Sequence, residues 1–230
     1  MITRLPVWVI FGGILLSFIA GYINAIGILH NHAVSHMTGL TSQLAIGIAQ
    51  GDLLRALHLA LVVLSFFIGC VVSGFLIQQS TLKLGRRYGV ALIFESICLF
   101  SAVSLLNRGM ESGYYLAAMA CGLQNSMAST YSGAIIRTTH LTGFINDFGI
   151  AIGHLLRGLP IDRLRFGLYG AVFLGFLSGG ITGILIFQHL GFDAIYFPAT
   201  ILMILGIIYF SYTHYNHYYL TKVERQYRNS

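Results

Sequence analysis

The sequence predicts an all-α polytopic membrane protein. It has six long transmembrane helices plus two short broken or re-entrant helices, built from two homologous halves arranged as inverted repeats. Composition is the first observation behind this: of 230 residues, 56% are hydrophobic and only 9% are charged, against about 25% charged in a soluble domain. So few charges cannot cover a water-facing surface, which excludes an ordinary soluble globular protein and a disordered chain. The second observation is a series of apolar runs long enough to cross a bilayer. The third is a set of motifs that occurs twice in the same order. Residues 1–230 form a single integral membrane domain whose first partner is the lipid bilayer, with no room for a separate soluble domain of normal size.

The long runs fall at about 7–29, 55–78, 88–106, 113–136, 166–188 and 193–213, each near the roughly 20 residues a helical span needs. The first run has one Arg before it and no small-residue cleavage site, so it is expected to be retained as a span. Two shorter segments, about 38–51 and 140–156, are unusually polar for their place. The tail from Tyr212 to Arg228 alternates aromatic and basic residues, as an interface anchor does.

His36-Met37-Thr38-Gly39 recurs as His140-Leu141-Thr142-Gly143, with Ile46 and Ile48 falling on Ile150 and Ile152. Upstream, Gly21-Tyr22-Ile23-Asn24 matches Gly122-Leu123-Gln124-Asn125; downstream, the small residues Ser65, Gly69 and Ser73 match Gly175, Gly179 and Gly183. The halves are therefore about 1–107 and 108–230. If the short segments re-enter, each half has three crossings and the repeats are inverted; if they cross, each has four and the repeats are parallel. Charge favours re-entry. Six crossings put eleven Lys and Arg on the side of the N-terminus and only Arg55 and Arg108 opposite, whereas eight crossings give nine to four. Either way the positive-inside rule makes both termini cytoplasmic. The net charge of +6 is thus a topology signal and not a nucleic-acid footprint.

Thr38-Gly39 and Thr142-Gly143 are the sharpest functional signal. Thr is a good N-cap, and Gly lets backbone turn or a ligand approach. A short helix starting at membrane depth presents free amides and a positive dipole end, and paired breaks of this kind in two halves point to a transporter site. The bland alternative is a pair of N-caps at the membrane surface. Asn24, Gln43, Gln124, Asn125 and Asp147 add amides and a carboxyl at matching depths, either as solute ligands or as polar glue between helices. Asp147 and Glu95 are the candidates for ion coupling; Arg137 is a candidate partner for Asp147, and His58 or His154 for Glu95. His36 and His140 precede Thr-Gly in both halves and are positioned to line the site. His30 and His32 read as interface histidines, since no metal spacing is present. Cys70, Cys98 and Cys121 read as packed, reduced thiols. No metal or cofactor is implied. The Gly175/Gly179/Gly183 ladder permits close helix packing, within the chain or at a homodimer seam.

Gly21-Tyr22-Ile23-Asn24-Ala25 with Ser35-His36-Met37-Thr38-Gly39 resembles the first half of the YoaK-like bacterial membrane proteins, catalogued as domain of unknown function 1275. Cys121-Gly122-Leu123-Gln124-Asn125 with Arg137-Thr138-Thr139-His140-Leu141-Thr142-Gly143 resembles the second half. The resemblance covers nearly the whole chain and implies a bacterial inner-membrane protein of about six spans with no established biochemical function. The family often has Asp where this chain has Asn24, and Asn where it has Leu40, which leaves Asp147 as the main ionisable group.

The chain lacks HExxH, GxSxG and Walker signatures, so no enzyme is expected. The expected function is a small secondary transporter or facilitator for a small polar or anionic solute, with a midplane site between the halves. The rival is a non-transport scaffold, sensor or subunit of a membrane complex.

Overall fold

The computed structural model describes residues 7–77, 87–132 and 136–228. Its regular structure is helical: α1 (Val7–Leu29), α2 (Met37–Gln50), α3 (Leu53–Leu76), α4 (Arg87–Leu106), α5 (Ser112–Ser132), α6 (Leu141–Leu156), α7 (Arg163–Leu190), a 3-10 turn (Gly191–Ile195) and α8 (Tyr196–Arg228). The apolar runs and the two short segments each become a helix within a few residues of the expected bounds. The departures are at α5, which ends at Ser132, and α8, which continues through the aromatic and basic tail.

Local chemistry sets the boundaries. Gly51 adopts a left-handed conformation (φ 74°) that ends α2, and Asp52 starts α3 by accepting from the Arg55 amide at 3.1 Å. Asp162 starts α7 in the same way, accepting from the amides of Leu164 and Arg165. These are side-chain caps for amides that have no intrahelical partner.

Contacts between helix ends fix the directions. At one end, His58 near the start of α3 meets His32 after α1 and Tyr115 at the start of α5, and Asn107 after α4 donates to Asp193 in the 3-10 turn after α7. At the other end, Gly89 of α4 lies against Phe210 of α8 and Gly13 of α1 against Ile136 after α5. So α1, α4 and α7 run one way, and α3, α5 and α8 the other. α1 ends where α3 begins, so residues 30–52, including α2, start and finish at the same end of the bundle. The end where α1 starts holds Arg87, Arg137, Arg157 and Arg165; the opposite end holds Arg55 and Arg108 with Asp52, Glu111 and Asp193.

The principal packings are α1 on α7, α3 on α5, α4 on α5 and on α8, α2 on α3 and α6 on α7. Glycine makes the first two possible. A Cβ on Gly21 would collide with the carbonyl of Phe176, and one on Gly179 with that of Phe18; likewise Gly122 faces Phe66 and Gly69 faces Met119. Backbone-to-backbone contact of this kind supplies the van der Waals packing that holds helices together in lipid. Gly175, Gly179 and Gly183 meet Ile14, Phe18 and Tyr22 of α1 in turn. The ladder is therefore spent within the chain, which removes it as a homodimer seam.

Among the described residues, four runs are long and apolar enough to cross a membrane: Ile10–Leu29, Leu53–Leu76, Arg87–Leu106 and Leu164–Tyr215, the last containing both α7 and α8. α5, expected as one of six spans, is not among them. It carries Gln124, Asn125, Ser126, Ser129 and Thr130, yet Ala117, Ala118, Ala120, Cys121, Leu123 and Gln124 on it are all buried. A helix walled by protein on several sides does not need the apolarity of one that faces lipid.

Candidate functional site

Each short helix is reached by an irregular strap that runs back along the preceding long helix. After α1 the chain turns at Asn31 (φ 61°), and the backbone of His32 then passes directly over Gly27. The Ser35 amide donates to Asn24 Oδ1 at 3.1 Å, about one and a half turns back down α1. The second strap repeats this: the Thr139 amide donates to Asn125 Oδ1 at 3.4 Å. Asn24 and Asn125 therefore act as the polar glue weighed from sequence, satisfying backbone that has left the helix. Gln124, fully buried, donates from Nε2 to the Leu16 carbonyl at 2.8 Å.

The Thr-Gly pairs work differently from the expectation. The N-cap residues are His36 and His140, neither with a side-chain cap bond, so Thr38 and Thr142 lie within the first turn and do not cap it. A Cβ on Gly39 would strike the ring of His36, and one on Gly143 the ring of His140. In each half, glycine makes room for an imidazole folded over the helix start, which explains why the His-x-Thr-Gly spacing recurs.

These residues do not converge. His36, Thr38, Gln43, His140 and Thr142 are exposed on the protein surface, Gly39, Gly143 and Asn125 are half-buried, and Asn24 is buried. α2 packs on α3 and α6 on α7, with no substantial contact between α2 and α6. Asp147 is half-buried and accepts from Asn146 Nδ2 at 3.3 Å, with Tyr169 of α7 as an electrostatic neighbour; among the described residues it forms no ion pair with Arg137.

Glu95 is wholly buried in α4, and among the described residues neither carboxylate oxygen has a hydrogen-bond partner. The partners weighed for it are engaged or remote. His58 sits 3.1 Å from Glu111, and His154 is exposed on α6. Its titratable neighbours are instead the thiols of Cys98 and Cys121.

Sequence reasoning missed one cluster. His32 Nδ1 lies 2.8 Å from His58 Nε2, and His58 Nδ1 lies 3.0 Å from the Tyr115 hydroxyl and 3.1 Å from Glu111 Oε2. The His32 ring stacks on Tyr114 at 4.1 Å, and His30 packs against Phe187 and Phe192. Burial and the neighbouring His58 hold the His32 imidazole below its ordinary value, with Glu111 acting the other way. The clustering of His30, His32 and His36 was the available signal, but Glu111 and His58 are joined to it only by the fold. Among the described residues no group of three His, Cys, Asp or Glu is placed to hold a metal.

Apolar helices of spanning length with irregular backbone returning beside them define an all-helical, multi-pass membrane protein. The family model described as "Protein of unknown function (DUF1275)" matches residues 12–208, and the chain belongs to that family. It is 27% identical over 192 residues to a UPF0700 transmembrane protein of Rhizobium meliloti (strain 1021), covering 83% of this chain and 81% of that one. No solved structure matches the chain.

Proposed function

We propose that the protein is a small secondary transporter or facilitator of the bacterial inner membrane, without enzymatic activity, that moves a small polar or anionic solute. In this reading six helices cross the bilayer, α2 and α6 are re-entrant, and the two halves are inverted repeats. The observation that carries it is the pair of straps. Each returns from an opposite end of the bundle and starts a short helix partway back along the preceding long helix. α2 and α6 are about 21 and 24 Å long, at 1.5 Å per residue, shorter than the roughly 30 Å hydrocarbon core. Half-helices that start away from the ends of the bundle, in corresponding positions of two halves, offer their free amides to a polar or anionic solute.

The inverted reading is supported by direction and by contact. α1 opposes α5, α3 opposes α7 and α4 opposes α8. Sequence-matched glycines face sequence-matched carbonyls: Gly21–Phe176 with Gly122–Phe66, and Gly69–Met119 with Gly179–Phe18. The arginine-rich end then faces the cytoplasm and carries both termini.

Glu95 is the stronger candidate for coupling, because an unpartnered carboxyl inside a membrane bundle is a functional group by default. Asp147, bonded to Asn146, is second. Flux of a panel of small organic anions into liposomes holding the folded protein tests the reading. Measurable flux whose pH dependence disappears in Glu95→Gln is expected; no flux in a folded, oriented preparation overturns it.

A second reading, a scaffold or subunit of a membrane complex, is favoured by the exposed faces of α2 and α6. Gln43 on one and Thr142 and Asn146 on the other are exposed, and side chains of this kind suit a partner protein better than lipid. Recovery of a stable complex, together with absent flux, would select it.

A further inference from the structure

We propose that the strap of residues 30–36 is held by a proton-sensitive latch, the His32–His58 pair backed by Glu111, and that acidification at that end of the bundle releases it. The inference does not depend on transport.

The hydrogen-bond arithmetic of the pair carries it. With both imidazoles neutral, His58 Nδ1–H faces the Glu111 carboxylate and His58 Nε2 accepts from His32 Nδ1–H across 2.8 Å. One added proton is tolerated: His58 becomes a cation beside Glu111 and its Nε2–H donates to His32 Nδ1, with the remaining His32 proton on Nε2. A second proton is not. Two imidazolium rings would then aim N–H at N–H across the same 2.8 Å, and one must leave. The ring on the strap is the one to give way, because His58 sits within α3 and is held by Tyr115 and Glu111, whereas His32 lies outside any helix, fixed by its stack on Tyr114, its amide on the Gly27 carbonyl and the path through buried Val34 to Ser35.

The surrounding charges leave this balance in place. From the strap itself, His30 adds a third titratable ring and opposes the second proton. From α5 and the turn before it come Tyr114, Tyr115 and Glu111, of which only Glu111 is a carboxylate. α7 and the 3-10 turn contribute the uncharged rings of Phe187 and Phe192. Asp52 is occupied by the Arg55 amide and Asp193 by Asn107. Glu111 is 62% exposed, so solvent weakens the one group that would hold two protons on the pair.

The matching place in the other half has aliphatic side chains where the pair stands. Ile136 corresponds to His32 and Leu168 to His58; both are buried in one apolar cluster, with Ile136 against Gly13 where His32 has Tyr114.

Hydrogen exchange of the full chain in lipid nanodiscs, read peptide by peptide and corrected for the intrinsic effect of pH, tests the latch. Between about pH 7.5 and about pH 5, the range over which histidine titrates, exchange across residues 30–36 should rise about tenfold. That is the factor expected from one lost hydrogen bond of ordinary net strength. Exchange across residues 136–140 should not change. His32→Phe, which keeps a ring on Tyr114, should abolish the rise, and Glu111→Gln at its exposed site should move it to lower pH. Equal protection of the wild-type strap at both pH values overturns the latch, as does a rise that persists in His32→Phe or a midpoint unmoved by Glu111→Gln.

Discussion

The two straps perform the same task with opposite chemistry. Each leaves a long helix, folds back beside it, is caught by an asparagine side chain and opens into a short helix under a histidine ring. The first strap, however, is fastened by His32 on His58 and Tyr114, and the second by Ile136 among Leu168, Phe144 and Val172. The apolar fastening has no state to change into. The imidazole fastening has three protonation states, of which only the first two keep it closed. Similar backbone paths can thus carry one fixed and one responsive connection, and the difference lies in a few side chains.

The comparison can be broken most forcefully on the apolar side. Ile136→Ala removes buried contacts that nothing else replaces and should cost about 2–4 kcal/mol, seen as a lower unfolding midpoint in detergent at every pH. Next come the asparagines. Asn24→Leu leaves the Ser35 amide without its partner and should cost about 1–3 kcal/mol. Asn125→Leu should cost less, because its bond to Thr139 is longer, 3.4 against 3.1 Å. Equal losses in the two variants would show that the straps depend on these bonds to the same extent. The smallest effect is electrostatic. The folded protein depresses the His32 imidazole, so the unfolded chain takes up more protons as pH falls through the ordinary histidine range. The stabilisation associated with neutral His32 is full above that range and lost below it. Wild-type protein should lose thermal stability from about pH 7.5 to about pH 5, and His32→Phe should lose less; parallel profiles would remove His32 as the source.

Much of this architecture is written in the sequence because hydropathy and turn chemistry are local. Runs of apolar residues become the long helices, and Gly51 and Asp52 mark a boundary by conformational freedom and capping. The paired motifs were also legible, and their backbone contacts follow the matching residue by residue. α5 was legible as a helix but not as the most enclosed one, since its polarity is satisfied by neighbours that sequence does not identify. The capping position is not legible, because capping rules weigh the hydroxyls of Thr38 and Thr142 and not the imidazole two residues earlier, whose bulk demands Gly39 and Gly143. Glu111 and His58 are 53 positions apart, and only the packing of α3 on α5 brings them within 3.1 Å.

The exchange of partners between halves also has a consequence for synthesis. α1 finds its main surface on α7, which begins roughly 150 residues later, so at about 5–20 residues per second α1 waits on the order of ten seconds or more for it. Through that interval Gly21, whose partner is Phe176 of α7, leaves a groove open along α1, and any chaperone or lipid that fills it must be displaced. α3 waits only until α5 emerges, a far shorter delay. The nascent chain therefore matures from its middle outward, and its first helix is among the last to be locked in place.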